Sequence, residues 1–208
     1  MSIKDRLLEK IEKRTASVGV VGLGYVGLPL AVEKAKAGYR TVGIDVSEKK
    51  VALVNQGTNY IGDVDDAVMK NLVSEGRLSA STDFSVVSEL DFVVICVPTP
   101  LDTHQQPDIS YIENSTHAIG QHLRKGTLVV LESTTYPGTT EELLLPILEK
   151  ESGLTCSEDF FLAFSPERVD PGNKDFKTNN TPKVVGGVSP EATEVAKAFY
   201  ESVLASEI

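Results

Sequence analysis

Cysteine is scarce in this chain. Two occur in 208 residues, too few for a disulfide framework and too far apart for a paired metal motif. Cys96 sits inside the apolar run FVVICVP, where a buried and inert thiol is expected, and Cys156 in GLTCSEDF has no reactive context. Histidine is equally sparse, at three residues. His117 and His122 are five apart, off the spacing that puts two ligands on one helix face, and His104 has no cysteine or carboxylate cluster around it, so no metal site is expected. No apolar run approaches the roughly 20 residues of a membrane-spanning helix, so no membrane partner is expected. Bases are outnumbered as well: 20 Lys and Arg against 30 Asp and Glu leave a formal net charge of −10. Phosphate backbones reward clustered Lys and Arg, so the balance argues against nucleic acid. Any anion must be held locally, by backbone N–H groups rather than by the overall field.

What remains is the composition of an ordinary globular protein, 41% hydrophobic and 24% charged. The start, MSIKDRLLEKIEKRTAS, mixes acids and bases without an apolar centre, which fits neither a secretion signal nor a transit peptide, and cytoplasmic residence is expected. Ile3, Leu7, Leu8 and Ile11 share one helical face, so residues 3–13 form an amphipathic helix, set apart as a leading segment 1–16 from a domain spanning 17–208. After it, apolar runs alternate with amphipathic stretches: strand 17–22, helix 26–37, strand 41–45, helix 48–55, loop 57–66, helix 67–75 and a short element at 78–82. ELDFVVICVPTP and GTLVVLEST are apolar at consecutive positions, as strands buried on both faces are, and Pro98 and Pro100 stop the first of them. Between the two a helix is expected over 110–123, capped by Asp108 or Ser110. YPGTTEELLLPILEK turns into a helix in which Thr139 and Glu142 have capping-box spacing. FFLAFSPER and TPKVVGGVS supply two more strands, and SPEATEVAKAFYESV a last helix with Ser189 as cap and Pro190 at its first position. Alternating strands and crossover helices predict a Rossmann-like α/β fold: a doubly wound, mainly parallel sheet of about six core strands with helices on both faces.

One short stretch carries most of the chemistry. In GLGYVG, Gly22, Gly24 and Gly27 spell G-x-G-x-x-G between an apolar strand and a helix, and Asp45 ends the next strand 23 residues after Gly22. The first glycine allows a tight turn, the second lets backbone approach a pyrophosphate, and the third lets helix and strand pack closely. Tyr25 and Val26 lie inside this loop and count with it as cofactor-binding. Asp45 is placed to accept hydrogen bonds from the adenosine ribose and to repel the extra phosphate of NADP, so NAD is the expected cofactor. Lys50, five residues on, is a candidate for the adenine side or a phosphate of the same cofactor; a solvated lysine on a helix face is the plainer alternative.

GLGYVGLPLA, CVPTPLD, PDISYI, ESTTYPGTTEELL and FSPERVDPGN occur in that order and resemble, from about Ser17 onward, the N-terminal NAD-binding domain of the UDP-glucose/GDP-mannose dehydrogenase family. They are most similar to the branch that oxidises UDP-N-acetylglucosamine or UDP-N-acetylmannosamine. The family oxidises the C6 alcohol of a nucleotide sugar to a carboxylate with two NAD⁺, through a cysteine-bound thioester. The resemblance implies that Thr99, with Val97 and Pro98 beside it, meets the cofactor at the carboxyl end of a strand, and that Glu132 and Ser133 line the nicotinamide side. It implies that Thr134 orders a catalytic water, and that Glu167 helps activate that water. Arg168 and Val169, with Glu167, fall to the UDP-sugar substrate.

Two departures qualify the resemblance. The UDP-glucose members carry a second glutamate four residues after the first, where this chain has Pro171. The family's nucleophilic cysteine, its catalytic lysine and asparagine, and its UDP-binding half have no counterpart up to Ile208. The implied protein is therefore the first domain of a longer, homo-oligomeric enzyme, binding NAD without complete turnover. Two alternatives stand beside it: the cofactor domain of a β-hydroxyacid dehydrogenase, which shares the glycine loop, and a free-standing NAD-binding module without catalysis.

Overall fold

Runs such as FVVI and LVVL, apolar at every position, are stable only with both faces covered, and that requirement builds the molecule. The computed structural model describes residues 1–62, 64–101, 107–167, 181–204 and 208. Within them the elements follow as α1 (Ile3–Glu12), β1 (Ser17–Val21), α2 (Gly27–Lys36), β2 (Arg40–Ile44), α3 (Glu48–Asn55), α4 (Asp66–Ser74), β3 (Leu78–Ser81), β4 (Phe92–Ile95), α5 (Ser110–Gly120), β5 (Leu128–Leu131), α6 (Leu145–Ser152), β6 (Phe161–Phe164), β7 (Gly186–Gly187) and α7 (Pro190–Glu201). The strands form one sheet in the order β3-β2-β1-β4-β5-β6-β7, parallel throughout except for β7, which runs antiparallel to β6. The order reverses between β1 and β4. In open α/β sheets ligands bind at that switch point, beyond the carboxyl ends of the strands.

The two-residue period of the strands divides the core into two layers. Val18 and Val20, Phe92 and Val94, Leu128 and Val130, and Phe161 and Ala163 face α1, α2, α4 and α7. Their neighbours Val21, Val93, Ile95, Val129, Leu131 and Leu162 face α5 and α6. Phe92 stacks on Phe199 of α7 with ring centroids 4.2 Å apart. The leading helix belongs to this body: Leu7 and Ile11 are buried in the first layer, and Lys4 pairs with Glu194 of α7 at 3.0 Å. Asp91, only 1% exposed, ties it further, accepting from Lys10 and Arg124 at 2.7 Å and from the Ser17 amide at 3.0 Å.

Several elements differ from the sequence expectation. No capping box forms at Thr139: its hydroxyl donates to the Tyr136 carbonyl at 2.8 Å and meets Thr135 at 2.7 Å. Thr139–Leu144 then winds as a wide π-helical turn, and Pro146 opens α6 after it. Proline has no N–H to return to the preceding turn, which loosens the helix at that point. Residue 109 is the cap of α5, while Asp108 accepts from the Ser110 amide at 2.9 Å. TPKVVGGVS pairs only at Gly186–Gly187. A short 3₁₀ helix, Phe84–Glu89, stands where no element is expected. Ser189 does cap α7, accepting from the Ala192 amide at 3.2 Å.

Candidate functional site

The crevice at the switch point is built first by the glycine loop between β1 and α2. Gly22 has φ +92, and a Cβ there would lie 2.7 Å from the Cys96 carbonyl oxygen, so only glycine makes this turn. Gly27 lies against the loop's start, where a Cβ would fall 1.8 Å from the Gly22 oxygen. Gly24 is the opposite case, with nothing within 4 Å of an added Cβ. Its surface faces open space. No side chain caps the N-terminus of α2, and no acidic residue occupies its first turn. Uncapped amides with the positive end of the helix dipole beside an open backbone suit a diphosphate.

Asp45, at the carboxyl end of β2, secures the loop from the other side. Its Oδ2 accepts from the Leu23 amide at 2.8 Å and its Oδ1 from the Ser47 amide at 2.9 Å. Lys50 Nζ stands 3.0 Å from Oδ2, so this lysine is engaged with Asp45 rather than freely solvated. Each carboxylate oxygen retains acceptor capacity for a ribose hydroxyl. Tyr60 donates to the Leu23 carbonyl at 2.9 Å; burial, aided by the Asp45 charge, raises its phenol above the usual range and keeps it a donor.

The opposite wall comes from the ends of β4 and β5. Ser133 donates to the Val97 carbonyl at 2.7 Å and joins the two strand ends. A cleft of about 310 Å³ is lined by Gly22, Gly24, Tyr25, Val26, Asp45, Lys50, Cys96, Val97, Pro98, Thr99, Glu132, Ser133, Thr134 and Glu167. An apolar hollow of about 430 Å³ adjoins it past Gly22, Asp45 and Val97, with Ile44, Phe84 and Tyr111 among its walls. Of the candidate site residues, only Gly27 among those described is absent from the cleft wall, because it is buried beneath the loop. Arg168 and Val169, and Pro171 with them, lie outside the described residues.

Beneath the cleft is a group of buried ionisable side chains. Glu132 continues the alternation of Leu128 and Val130 past the end of β5, so it points toward α2 and α7 and is 1% exposed. Its Oε1 pairs with Lys183, and its Oε2 accepts from the Tyr200 hydroxyl at 2.6 Å. Burial opposes the Lys183 charge, but Glu132 and Glu167 outweigh it and leave the ammonium raised. Burial likewise raises Tyr200 well above its ordinary value, so the phenol remains a donor. Lys34 of α2 lies 3.9 Å from the Phe199 ring centroid and 4.2 Å from that of Tyr200. Burial, only partly offset by Glu132, lowers Lys34 to about 7. Cys96 borders the same group; burial raises its thiol well above the usual range, as an inert cysteine requires. Sequence patterns miss Tyr60, Lys34, Lys183 and Tyr200, since each reads as an ordinary loop, strand or helix residue. Lys34, inside the apolar face LPLAVEKA, is the one that breaks a pattern.

Comparison with known proteins gives the same reading. Residues 16–204 match the UDP-glucose/GDP-mannose dehydrogenase family, NAD binding domain. A UDP-N-acetyl-D-glucosamine 6-dehydrogenase of Pseudomonas aeruginosa is 42% identical over 188 residues, which are 90% of this chain and 43% of that protein. The crystal structure of the NDP-N-acetyl-D-galactosaminuronic acid dehydrogenase from Methanosarcina mazei Go1 superposes with a TM-score of 0.88 at 35% identity, covering 100% of this chain and 46% of that one. A 3-hydroxyisobutyrate dehydrogenase from Salmonella typhimurium superposes at TM-score 0.61 over 92% of this chain and 56% of its own, but at 18% identity that likeness shows the fold alone. This chain spans less than half the length of the nucleotide-sugar relatives it matches. It belongs to the UDP-glucose/GDP-mannose dehydrogenase family, as that family's NAD-binding domain.

Proposed function

We propose that this domain serves a nucleotide-sugar 6-dehydrogenase that oxidises the C6 alcohol of a UDP-N-acetylhexosamine to the uronate. The observation that carries the proposal is the single cleft uniting the glycine loop, Asp45, Thr99, the 132–134 segment and Glu167. NAD, when bound, supplies the hydride acceptor for each oxidation. The backbone at Gly24 and the N-terminus of α2 would hold its diphosphate, and Asp45 its adenosine ribose, with Lys50 steadying that carboxylate. Thr99, Ser133 and Thr134 line the other end. There the exposed Thr134 hydroxyl both donates and accepts, and it orients a water that Glu167 deprotonates. Neither Cys96 nor Cys156 suits the thioester-forming nucleophile, because burial raises both thiols. The reaction therefore requires a nucleophile other than these two thiols. The UDP-N-acetylhexosamine preference rests on the likeness to relatives of that activity, and no feature of the cleft favours a β-hydroxyacid instead.

Two measurements test this. Titration of the chain with NAD⁺ is expected to saturate, and Gly24→Val is expected to abolish binding while the melting temperature changes little, because the new side chain fills diphosphate space without touching protein. Binding that survives Gly24→Val would remove the cleft from consideration. For the whole enzyme, two NADH should form per sugar consumed; a ratio of one would contradict the four-electron oxidation.

A further inference from the structure

Leu23, the residue between the first two glycines of the loop, is held at each of its groups. Its amide donates to Asp45 Oδ2 at 2.8 Å. Its side chain is fully buried over β2, where a Cβ at Gly43 would stand 2.6 Å from Leu23 Cδ2. Its carbonyl accepts from the Tyr60 hydroxyl at 2.9 Å, a contact across 37 residues that the G-x-G-x-x-G spacing does not specify. Tyr60 is itself firmly placed. It belongs to the connection between α3 and α4, where the Asn59 side-chain amide donates to the Ile61 and Val64 carbonyls, both at 2.7 Å, and its oxygen accepts from the Ile61 amide at 2.8 Å. Ile61 and Val64 are buried in the first layer of the core. Burial, with the Asp45 charge, raises the Tyr60 phenol, so it stays protonated and donates.

The Leu23 carbonyl shares its peptide plane with the Gly24 N–H. In a planar trans peptide the two point opposite ways, so a carbonyl drawn to Tyr60 turns the amide away from Tyr60. Tyr60 lies outside the cleft wall, whereas Gly24 is part of it. Among the described residues no acceptor meets the Gly24 N–H, although the Gly24 carbonyl accepts from the Leu28 amide at 3.1 Å. Backbone donors in folded proteins are nearly all satisfied by protein, water or ligand, so an N–H without a protein partner on a cleft wall is available to a ligand. We propose that Tyr60 is a positioning residue for the dinucleotide: by fixing the Leu23 carbonyl it aims the Gly24 N–H into the cleft, ready to donate to a diphosphate oxygen. This rests on the cleft holding NAD as argued above. A hydroxyl from the α3–α4 connection thereby strengthens phosphate binding without touching the cofactor, because the peptide need not be reoriented when the ligand arrives.

The test compares ligands that contain a diphosphate with one that does not, on the 208-residue chain. Tyr60→Phe keeps the ring and removes the hydroxyl. It is expected to weaken NAD⁺ and ADP-ribose about three- to tenfold, the scale of one neutral hydrogen bond, and to leave adenosine binding unchanged. A merely structural role for Tyr60 would weaken adenosine as much as ADP-ribose; that result, or unchanged affinity for all three, overturns the proposal. A second measurement needs no variant: in amide nitrogen–proton correlation spectra of the wild-type chain, the Gly24 amide proton should shift downfield on saturation with ADP-ribose. A Gly24 resonance that ADP-ribose leaves in place overturns the proposal, whether or not Tyr60→Phe folds. Either adverse result, with NAD⁺ still binding to the wild-type chain, leaves the cofactor site standing. Failure of the wild-type chain to bind NAD⁺ would bring down the cofactor site and this proposal together.

Discussion

Lys34 carries the charge least suited to its surroundings. Its ammonium is sealed between the rings of Phe199 and Tyr200, with Glu132, Lys183 and Cys96 the ionisable groups acting on it. In the folded chain it titrates at about 7, against 10.5 for an ordinary lysine. Between those values the unfolded chain binds more protons than the folded one, so this group makes stability rise as pH increases across the window. Lys34→Met, which suits contacts with aromatic rings, is expected to remove that rise and to stabilise the fold at neutral pH by roughly 1–3 kcal/mol. Urea unfolding at pH 7 and pH 9 would show it, and equal pH dependence in the two proteins would refute it. Asp45 is the contrasting case, a buried charge met by two loop amides and by Lys50. Asp45→Asn keeps one oxygen for the loop amides but loses the charge and releases Lys50. NAD⁺ should weaken about tenfold, the scale of a charge-assisted hydrogen bond, while NADP⁺ binding improves. An unchanged preference between the two would mean that Asp45 does not meet the ribose.

Among the elements, α1 has the clearest energetic role. It caps the first layer of the core, inserting Leu7 at 0% exposure, and its Lys10 reaches the buried Asp91. Leu7→Ala should cost about 2–5 kcal/mol, as large-to-small changes in cores do, and leave NAD⁺ affinity intact because no residue of the helix lines the cleft. A loss of affinity in the still-folded variant would show that α1 shapes the site. The start of α2 illustrates an element left incomplete. Most helices here cap their first turn with Ser or Asp, as at Ser2, Ser47, Asp65 and Ser189. The helix facing the crevice lacks such a cap, which leaves its amides for a ligand.

For the molecule as a whole, charge and site oppose one another. A net charge of −10 repels a dinucleotide at long range, so the site must act through backbone amides at short range. Raising ionic strength from about 10 mM to about 150 mM shortens the screening length from about 30 Å to about 8 Å. NAD⁺ affinity should then hold or improve; a several-fold loss would indicate a site built from lysine and arginine. Among the described residues no helix is long and apolar enough to cross a membrane.

The sequence by itself determined the parallel sheet, the glycine turn and its partner Asp45, because these depend on residues close in the chain whose spacing follows strand and helix periods. Gly22 and Gly27 sit in the tight turn and the close helix–strand contact that their places in the motif imply, and Gly24 has open space around it. The same local logic failed at Thr139, where spacing suggested a capping box but the hydroxyl turned to Tyr136 instead. Only the tertiary structure decided what surrounds Glu132. Lys34, Lys183 and Tyr200 come from α2, the segment before β7, and α7, and they meet because the sheet brings the end of β5 beneath those elements. Whether a buried lysine is paired, stacked or left to lose its proton depends on neighbours far away in the chain, and spacing holds no record of them.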